Sequence, residues 1–441
     1  MSELTDPGAP GLVTSIAQAD RLTIDKGRQG PRKTFVSVPL RVAGATVADL
    51  QGAWQRVVLR QKVLRSVFPS DDVTVAEVLA PERYTVVSHP AASVEEAGEQ
   101  LLTEMDRRGF DLARGPLAEL HHLEAPGETL ECRLLVDHII FDRLSARLLM
   151  DDLALELAGV SRELPEHDYF DFARAQRQWI GSPAGRAGLA HWAAQYADLG
   201  LNPPLGLPVE APHDPAVPKP ELVFERGLAV TDLPGRSREL RTTPFVLICS
   251  AVLAAIREWS ERDLVGLIFP SPGRTWPGAA RMVGKFAEMV PMRASVRWAA
   301  TTYQELRGEV QSNVAAAMMH DRFPQGQVIN ELFPDNIDEI SSVPYVYLDI
   351  KAQPGFAAVA DGIEISEGTE KAADLTRREP GLSLLASVGA TGCGLSVRHS
   401  DSYSGATVAT FHRLVAAHLS AQLNPRDEHG AIVSLREESC G

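Results

Sequence analysis

The chain has 441 residues, of which 44% are hydrophobic and 23% charged, with 43 Lys plus Arg against 58 Asp plus Glu for a formal charge of −15. That balance excludes a disordered chain, a collagen-like repeat and a disulfide scaffold, and the length suits about two or three domain-sized units with a substantial core. A net negative field repels polyphosphate, so no nucleic acid is expected as the main partner. The four cysteines, Cys132, Cys249, Cys393 and Cys440, are scattered, which fits a reducing compartment and gives no zinc pattern. The N-terminus lacks the basic and apolar regions of a signal peptide. The longest nearly unbroken apolar run, Pro244 to Ile256, is shorter than the roughly 20 residues that span a bilayer. A cytoplasmic protein with no membrane partner and no metal is expected.

Helical and strand patterns alternate along the chain, which points to a mixed α/β architecture. Phe35 to Ala43 reads as a strand. Thr46 to Arg60 reads as an amphipathic helix, through Val47, Leu50, Trp54, Val57 and Val58. Glu95 to Arg107 reads as a second helix with Ser93 as its N-cap. Leu130 to Ile140 is a strand pattern, and Leu144 to Leu157 switches to a helical period. Gly200 to Pro220 is rich in Pro and Gly and is expected to be irregular. A domain crossover is placed near Arg177 to Ser182, dividing the chain into 1–178 and 179–441. Beyond it, Pro244 to Ile256 reads as a buried helix, Leu264 to Phe269 as a strand and Pro270 to Gly278 as a loop. Ser312 to Met319 is helical, Val343 to Ile350 and Gly394 to His399 are strands, and Gly405 to Gln422 is a helix.

The segment with chemical promise is Val136-Asp-His-Ile-Ile-Phe-Asp-Arg-Leu-Ser145, where the strand pattern gives way to the helix. Strand ends and helix N-termini are where α/β folds place reactive groups. His138 there can act as a general base, and Asp142 sits where a helix N-cap carboxylate is favoured. The bare pattern His-x-x-x-Asp is weak, since about one chance match is expected in this composition. A second match, His167 to Asp171, has acidic surroundings and reads as a solvated turn, and His121-His122 lacks an aspartate at the required offset. The bland alternative for His138 is a core histidine bonded to a backbone carbonyl, with Asp142 a plain cap.

Around His138 the chain resembles the condensation domains of nonribosomal peptide synthetases, within the chloramphenicol-acetyltransferase-like superfamily. Their core motif is His-His-x-x-x-Asp-Gly, read here as Asp137-His138-Ile-Ile-Phe-Asp142-Arg143. Further landmarks follow in the family's order. They are Leu64-Arg65-Ser-Val-Phe68, Phe110 to Leu117, His191-Trp192 with Leu207-Pro208, and Thr243 to Leu247. Then come Gly273-Arg274, Val283-Gly-Lys-Phe-Ala-Glu-Met-Val-Pro-Met-Arg293 and Ala317 to Pro324. The resemblance spans roughly residues 12 to 435, and its colinearity is its specific feature.

The resemblance implies two chloramphenicol-acetyltransferase-like lobes in a V-shaped arrangement, with the active site in a tunnel between them. It implies a condensation enzyme of antibiotic or other secondary metabolism that joins a carrier-bound acyl thioester to an amine or alcohol. The thioester arrives on the phosphopantetheine arm of an acyl or peptidyl carrier protein, with no cofactor bound by the enzyme itself. No carrier or adenylation signature is read in the chain, so freestanding action on a carrier in trans is expected, with Arg174 and Arg177 as candidates for a docking patch. His138 would orient and deprotonate the nucleophile. Asp142 would be structural, held by Arg65 or else Arg274. The family's first His is replaced by Asp137, its Gly by Arg143, and an Asn by Glu288, which makes these three, together with Ser145, candidate tunnel residues. Asp137, Asp142 and Ser145 also fit the Asp-x4-Asp-x2-Ser motif of heterocyclization domains. A non-catalytic recruitment domain and a coenzyme A-dependent acyltransferase are the other readings.

Overall fold

The computed structural model describes residues 12–26, 34–124, 127–160, 162–196, 232–334, 345–352, 355, 357–368, 381–390, 392–399, 402–424 and 430–434. In chain order the elements are β1 (Leu12–Val13), α1 (Ile16–Lys26), β2 (Phe35–Ala43), α2 (Val47–Arg60), β3 (Ser66–Val67), β4 (Val75–Val78) and β5 (Val86–Pro90). Next are α3 (Val94–Arg108), β6 (Ala118–Glu124), β7 (Leu130–Asp137), α4 (Arg143–Leu157), α5 (Tyr169–Ile180), α6 (Pro183–Tyr196), α7 (Leu233–Glu239) and α8 (Pro244–Ser260). They continue with β8 (Leu264–Ser271), β9 (Glu288–Ser295), α9 (Tyr303–Met319), α10 (Gln325–Leu332), β10 (Tyr345–Ala352), β11 (Ala357–Ala360), β12 (Ile363–Glu367), β13 (Gly381–Val388), β14 (Cys393–His399) and α11 (Gly405–Leu423). The expected proline-rich stretch Gly200 to Pro220, with the Leu207-Pro208 landmark, lies outside the described residues.

The chain forms two compact units. One contains Met1–Arg186, Pro272–Ala287 and Gly355–Arg377, and the other contains Ala187–Ser271, Glu288–Pro354 and Arg378–Gly441. The division expected at 178/179 thus needs refinement, because two later segments return to the first unit. One supplies strand pairing, with β12 antiparallel to β2. The other, 272–287, supplies side-chain and backbone partners to the start of α4.

The first unit is built on a sheet in the order β11-β12-β2-β7-β6-β5. Strand β7 lies inside it, antiparallel to both β2 and β6, and its residues Cys132 to Asp137 are all buried. Both faces of this strand are therefore covered, unlike the half-solvated strand common in antiparallel sheets. Helix α2 starts at a capping box, Thr46 with Asp49, and buries Leu50, Ala53, Trp54, Val57 and Val58. That stripe packs against α4, which also lies along β11 and β12. Ser93 caps α3 as expected, accepting from the Glu96 N–H at 3.1 Å.

The second unit has a sheet in the order β14-β13-β10-β8-β9, with β10 parallel to β13 and β8. Helix α8 starts with Thr243 as N-cap and Pro244 inside the first turn, and it is buried without a break from Val246 to Ile256. It is a core helix against α11, α9 and β8. No single helix among the described residues is long and apolar enough to cross a membrane. Helix α9 starts at Tyr303, well before the expected Ser312. Its capping box, Thr302 with Glu305, sets that start, while its first turns carry few apolar residues.

Trp54 of α2 is a fully buried ring in the hydrophobic core of the first unit. Replacing it by Ala is expected to remove about 3–5 kcal/mol of stability, read as a lower denaturant midpoint of unfolding. An unchanged midpoint would mean that α2 does not support the core in this way.

Candidate active site

Strand β7 ends three residues earlier than the sequence pattern suggests, and the reason lies in its last side chain. Asp137 Oδ1 accepts the Ile139 N–H at 2.8 Å, and the Asp137 carbonyl accepts the Ile140 N–H at 3.2 Å. The backbone therefore leaves the strand and turns before α4. The His138 N–H donates to the Thr34 carbonyl at 3.0 Å, which ties the turn to the start of β2. From Asp137 to Asp142 every residue is buried except His138, which is partly exposed. Its Nδ1 lies 2.6 Å from the Phe141 carbonyl oxygen. A carbonyl only accepts, so Nδ1 carries the proton of the neutral ring. Nε2 is then the nitrogen with a lone pair that can take a proton. The backbone-carbonyl bond of the bland reading is present, and it sets the tautomer that a general base needs.

Asp142 is the N-cap of α4, accepting the Ser145 N–H at 2.8 Å. It also anchors the segment 272–287. Its Oδ1 accepts from Arg274 Nη2 at 2.8 Å, and its Oδ2 accepts the Phe286 and Ala287 N–H groups at 3.0 and 3.3 Å. Both members of the ion pair are buried, Asp142 to 1% and Arg274 to 4% exposure. Arg274 further donates to the carbonyls of Ala279 and Met282 at 2.7 and 2.5 Å and lies 4.3 Å from the centre of the Phe286 ring. Ser145 Oγ completes this node. It accepts from Arg274 and the Gly284 N–H, both at 2.9 Å, and stands 2.8 Å from Asp142 Oδ1 and from the Gly284 carbonyl, either of which can take its single proton.

Two glycines make the approach possible. Gly273, with φ of +63°, turns the chain just before Arg274, where a Cβ would fall 2.0 Å from the Phe286 carbonyl oxygen. A Cβ on Gly284 would fall 2.1 Å from the Tyr169 ring.

The first-choice partner for Asp142 is therefore corrected. Arg65 does not pair with it. Its Nε and Nη1 reach back to the carbonyls of Val58 and Leu79, at 3.0 and 2.6 Å, tying the end of α2 to the chain after β4. Arg274, the second possibility, holds the carboxylate.

Asp137 also differs from the tunnel role expected of it, because it is buried. Asp137 is 1% exposed, with Arg21 Nη1 at 3.9 Å. Burial pushes its carboxyl up to about 6, against the opposing effects of Arg21 and the Ile139 N–H. Arg143 stands 4.0 Å from Glu367, and its side chain is 40% exposed. Glu288 opens β9 in the second unit, opposite Ser271. The three positions of the cyclization motif are split. Asp142 and Ser145 share the Arg274 node, while Asp137 belongs to the turn, and all three are buried.

The remaining histidine and arginine candidates have structural partners. Asp168 and Asp171 form the capping box of α5, so the second His-x-x-x-Asp match opens a helix rather than a turn. Buried His121 is bracketed by His89 at 2.8 Å and Glu119 at 3.1 Å. Arg177 donates to the Thr14 carbonyl and hydroxyl at 2.7 and 3.0 Å, and Arg174 pairs with Asp171 at 2.9 Å. Sequence reading missed Gln18, whose buried amide reaches the Ile139 carbonyl at 3.1 Å. Among the described residues no group of three or more His, Cys, Asp or Glu could hold a metal ion. A depression of about 170 Å³ lined by Pro39, Leu123, Glu131 and Cys132 contains none of these site residues.

Asp137 gives a pH prediction whose sign follows from its raised carboxyl. Between its ordinary value of 3.8 and about 6 the folded chain holds a proton that the unfolded chain releases. This group favours folding most below 3.8 and disfavours it progressively as pH rises through 6. Asp137→Asn should therefore unfold at a higher temperature than the natural chain above pH 7, by up to roughly 3 kcal/mol in stability. The gap should close as pH falls towards 4. A gap that widens on acidification would contradict the assignment.

The condensation domain family matches residues 12–345. Phosphinothricin tripeptide synthetase PhsC of Streptomyces viridochromogenes is 29% identical over 341 residues, covering 72% of this chain and 30% of that protein. A linear gramicidin synthase protein of Brevibacillus parabrevis is 26% identical over 356 residues, covering 76% of this chain and 7% of that protein. The chain thus spans less than a third of these relatives. Among solved structures, the condensation domain of the monacolin K polyketide synthase MokA superposes with a TM-score of 0.78 at 15% identity, over 95% of this chain and 98% of that one. The X-domain from teicoplanin biosynthesis superposes with a TM-score of 0.76 at 19% identity, over 98% and 99%. The fold is the expected α/β one, in two compact units, and matches that of these condensation-domain and X-domain structures. The chain belongs to the condensation-domain family of nonribosomal peptide synthesis.

Proposed function

We propose that the chain joins an acyl thioester carried on the phosphopantetheine arm of a carrier protein to an amine or alcohol in the cytosol. The observation that carries the reading is His138. It is the one side chain of the turn from Asp137 to Asp142 that is not buried, and its Nδ1 is committed to the Phe141 carbonyl. The acceptor's nitrogen or oxygen attacks the thioester carbon, and Nε2 takes the proton that this atom loses. The tetrahedral intermediate then collapses, the carbon–sulfur bond breaks, and the proton passes to the departing pantetheine thiolate. General-base help of this kind is worth about 10²–10⁴ in rate. No bound cofactor is needed for these steps. Asp142, Ser145 and Arg274 act structurally, since each is buried and bonded to the others.

Amide or ester formation is favoured over ring formation, because Asp137 is buried against Arg21 rather than presented with Asp142 and Ser145. A second reading, recruitment of a partner without turnover, rests on the altered core motif. It also draws on the likeness in fold to a teicoplanin X-domain whose structure is a complex with OxyB, with a TM-score of 0.75.

The test is intact-mass detection of product from carrier proteins loaded with a panel of acyl groups, offered with amines and alcohols. Matched coenzyme A thioesters serve as a separate arm. Product is expected from the loaded carrier. His138→Ala should lower its formation by at least about 10²-fold at an unchanged melting temperature. Unchanged turnover in that variant contradicts the role of His138. Carrier binding with no product from any donor favours recruitment, and a product lighter by one water favours ring formation.

A further inference from the structure

Helix α1 attracts no functional reading from its sequence, yet its inward side chains converge on the turn that carries His138. Gln18 is fully buried, and its Nε2 donates to the Ile139 carbonyl at 3.1 Å. Its Oε1 is fixed from the other side by the Ser15 N–H at 3.0 Å, so the amide has one orientation. The Tyr169 hydroxyl gives its one proton to the Lys285 carbonyl at 2.7 Å and accepts from the Ser15 hydroxyl at 3.0 Å. One turn along α1, Arg21 binds the Thr34 hydroxyl and lies 3.9 Å from Asp137. Asp25 orients the guanidinium from behind at 2.5 Å. Thr34 and Asp137 are the two residues whose carbonyl and carboxylate receive the N–H groups of His138 and Ile139.

Each polar anchor of the turn is thus reinforced from α1. The Ile139 carbonyl is bound directly by Gln18, and Thr34 and Asp137 are steadied by Arg21. The Nδ1–Phe141 bond closes across this same short turn, so it forms only while residues 138–141 keep their path. We infer that Gln18 and Arg21 are positioning residues that hold the 138–141 turn in the form where His138 keeps its proton on Nδ1. The inference rests on the reading of His138 as the base, and it adds the elements that present that base. It also accounts for a buried carboxylate at position 137 with an incomplete partner. The 3.9 Å approach of Arg21 steadies the turn and leaves the charge poorly compensated.

The experiment needs no substrate. Long-range ¹H–¹⁵N spectra of the full chain labelled at histidine, recorded at pH 8, report which ring nitrogen carries the proton. The His138 signals are assigned by their loss in His138→Ala. The natural chain is expected to show the Nδ1–H form. Gln18→Met and Arg21→Met are each expected to move the Nε2 resonance towards that of a mixture of the two tautomers, with the circular dichroism spectrum retained. Arg21→Lys should preserve part of the natural signature. If the natural chain shows Nδ1–H and both Met variants leave it unchanged, the positioning role is overturned while His138 stands as the base. If the natural chain already shows Nε2–H, the reading of His138 itself fails. Loss of the fold in both Met variants would overturn positioning in favour of a purely structural role.

Discussion

The buried pair of Asp142 and Arg274 is the interaction on which the site depends. It joins residues 132 positions apart in the chain and lies out of water on both sides. Burying two charges is unfavourable unless their remaining bonding capacity is met. Here the carboxylate is met by three backbone N–H groups and one cation, and the two Nη atoms of the guanidinium by two carbonyls and a hydroxyl beside an aromatic face, with only the buried Nε–H left without a partner among the described residues. The pair therefore fixes where α4 begins and where the 272–287 segment lies against it. The turn from His138 to Phe141 occupies the gap between the end of β7 and that fixed helix start. Its length leaves little freedom, and its one partly exposed side chain is the imidazole.

Much of this frame was legible in the sequence. The strand-to-helix switch at residues 130–157 shows as a change of hydrophobic period, and the buried helix at 244–260 shows as an apolar run opened by Thr-Pro. His138 and Asp142 stand at that switch, and the family resemblance singles them out among several weaker pattern matches. The identity of the arginine did not follow. Arg65 and Arg274 are equally cationic on paper, and only the left-handed turn at Gly273 brings the second one to the carboxylate. The contribution of α1 was illegible for a different reason. Gln18 and Arg21 are polar residues on a short helix, and pattern reading assigns such residues to solvent. In the fold Gln18 is drawn inward by the Ile139 carbonyl and Arg21 by the Thr34 hydroxyl and the Asp137 carboxylate, the two turn residues lying more than a hundred positions away. The strands β11 and β12 are only four and five residues long, too short for alternation to stand out.

The structure also separates the candidate histidine from others that are buried. His418 is fully buried between Glu258, at 3.0 Å, and the Tyr303 hydroxyl, at 2.7 Å, and His121 lies between His89 and Glu119. Such arrays imitate catalytic relays, but both histidines are buried, and the bonded neighbours occupy both ring nitrogens. His138 differs in reaching the surface of its turn. Asp137 shows the opposite compromise, a carboxylate that burial disfavours, retained at the point where the turn leaves the strand.

The most direct test of the central constraint is a double-mutant cycle on unfolding free energy, built from Asp142→Asn, Arg274→Met and the two combined. If the buried pair fixes the site, each single change strands an unpaired group, and the double variant loses less than the sum of the singles by at least about 2 kcal/mol. Losses that simply add would show that Asp142 and Arg274 are independent neighbours, and the account of how the turn is held would fail with them.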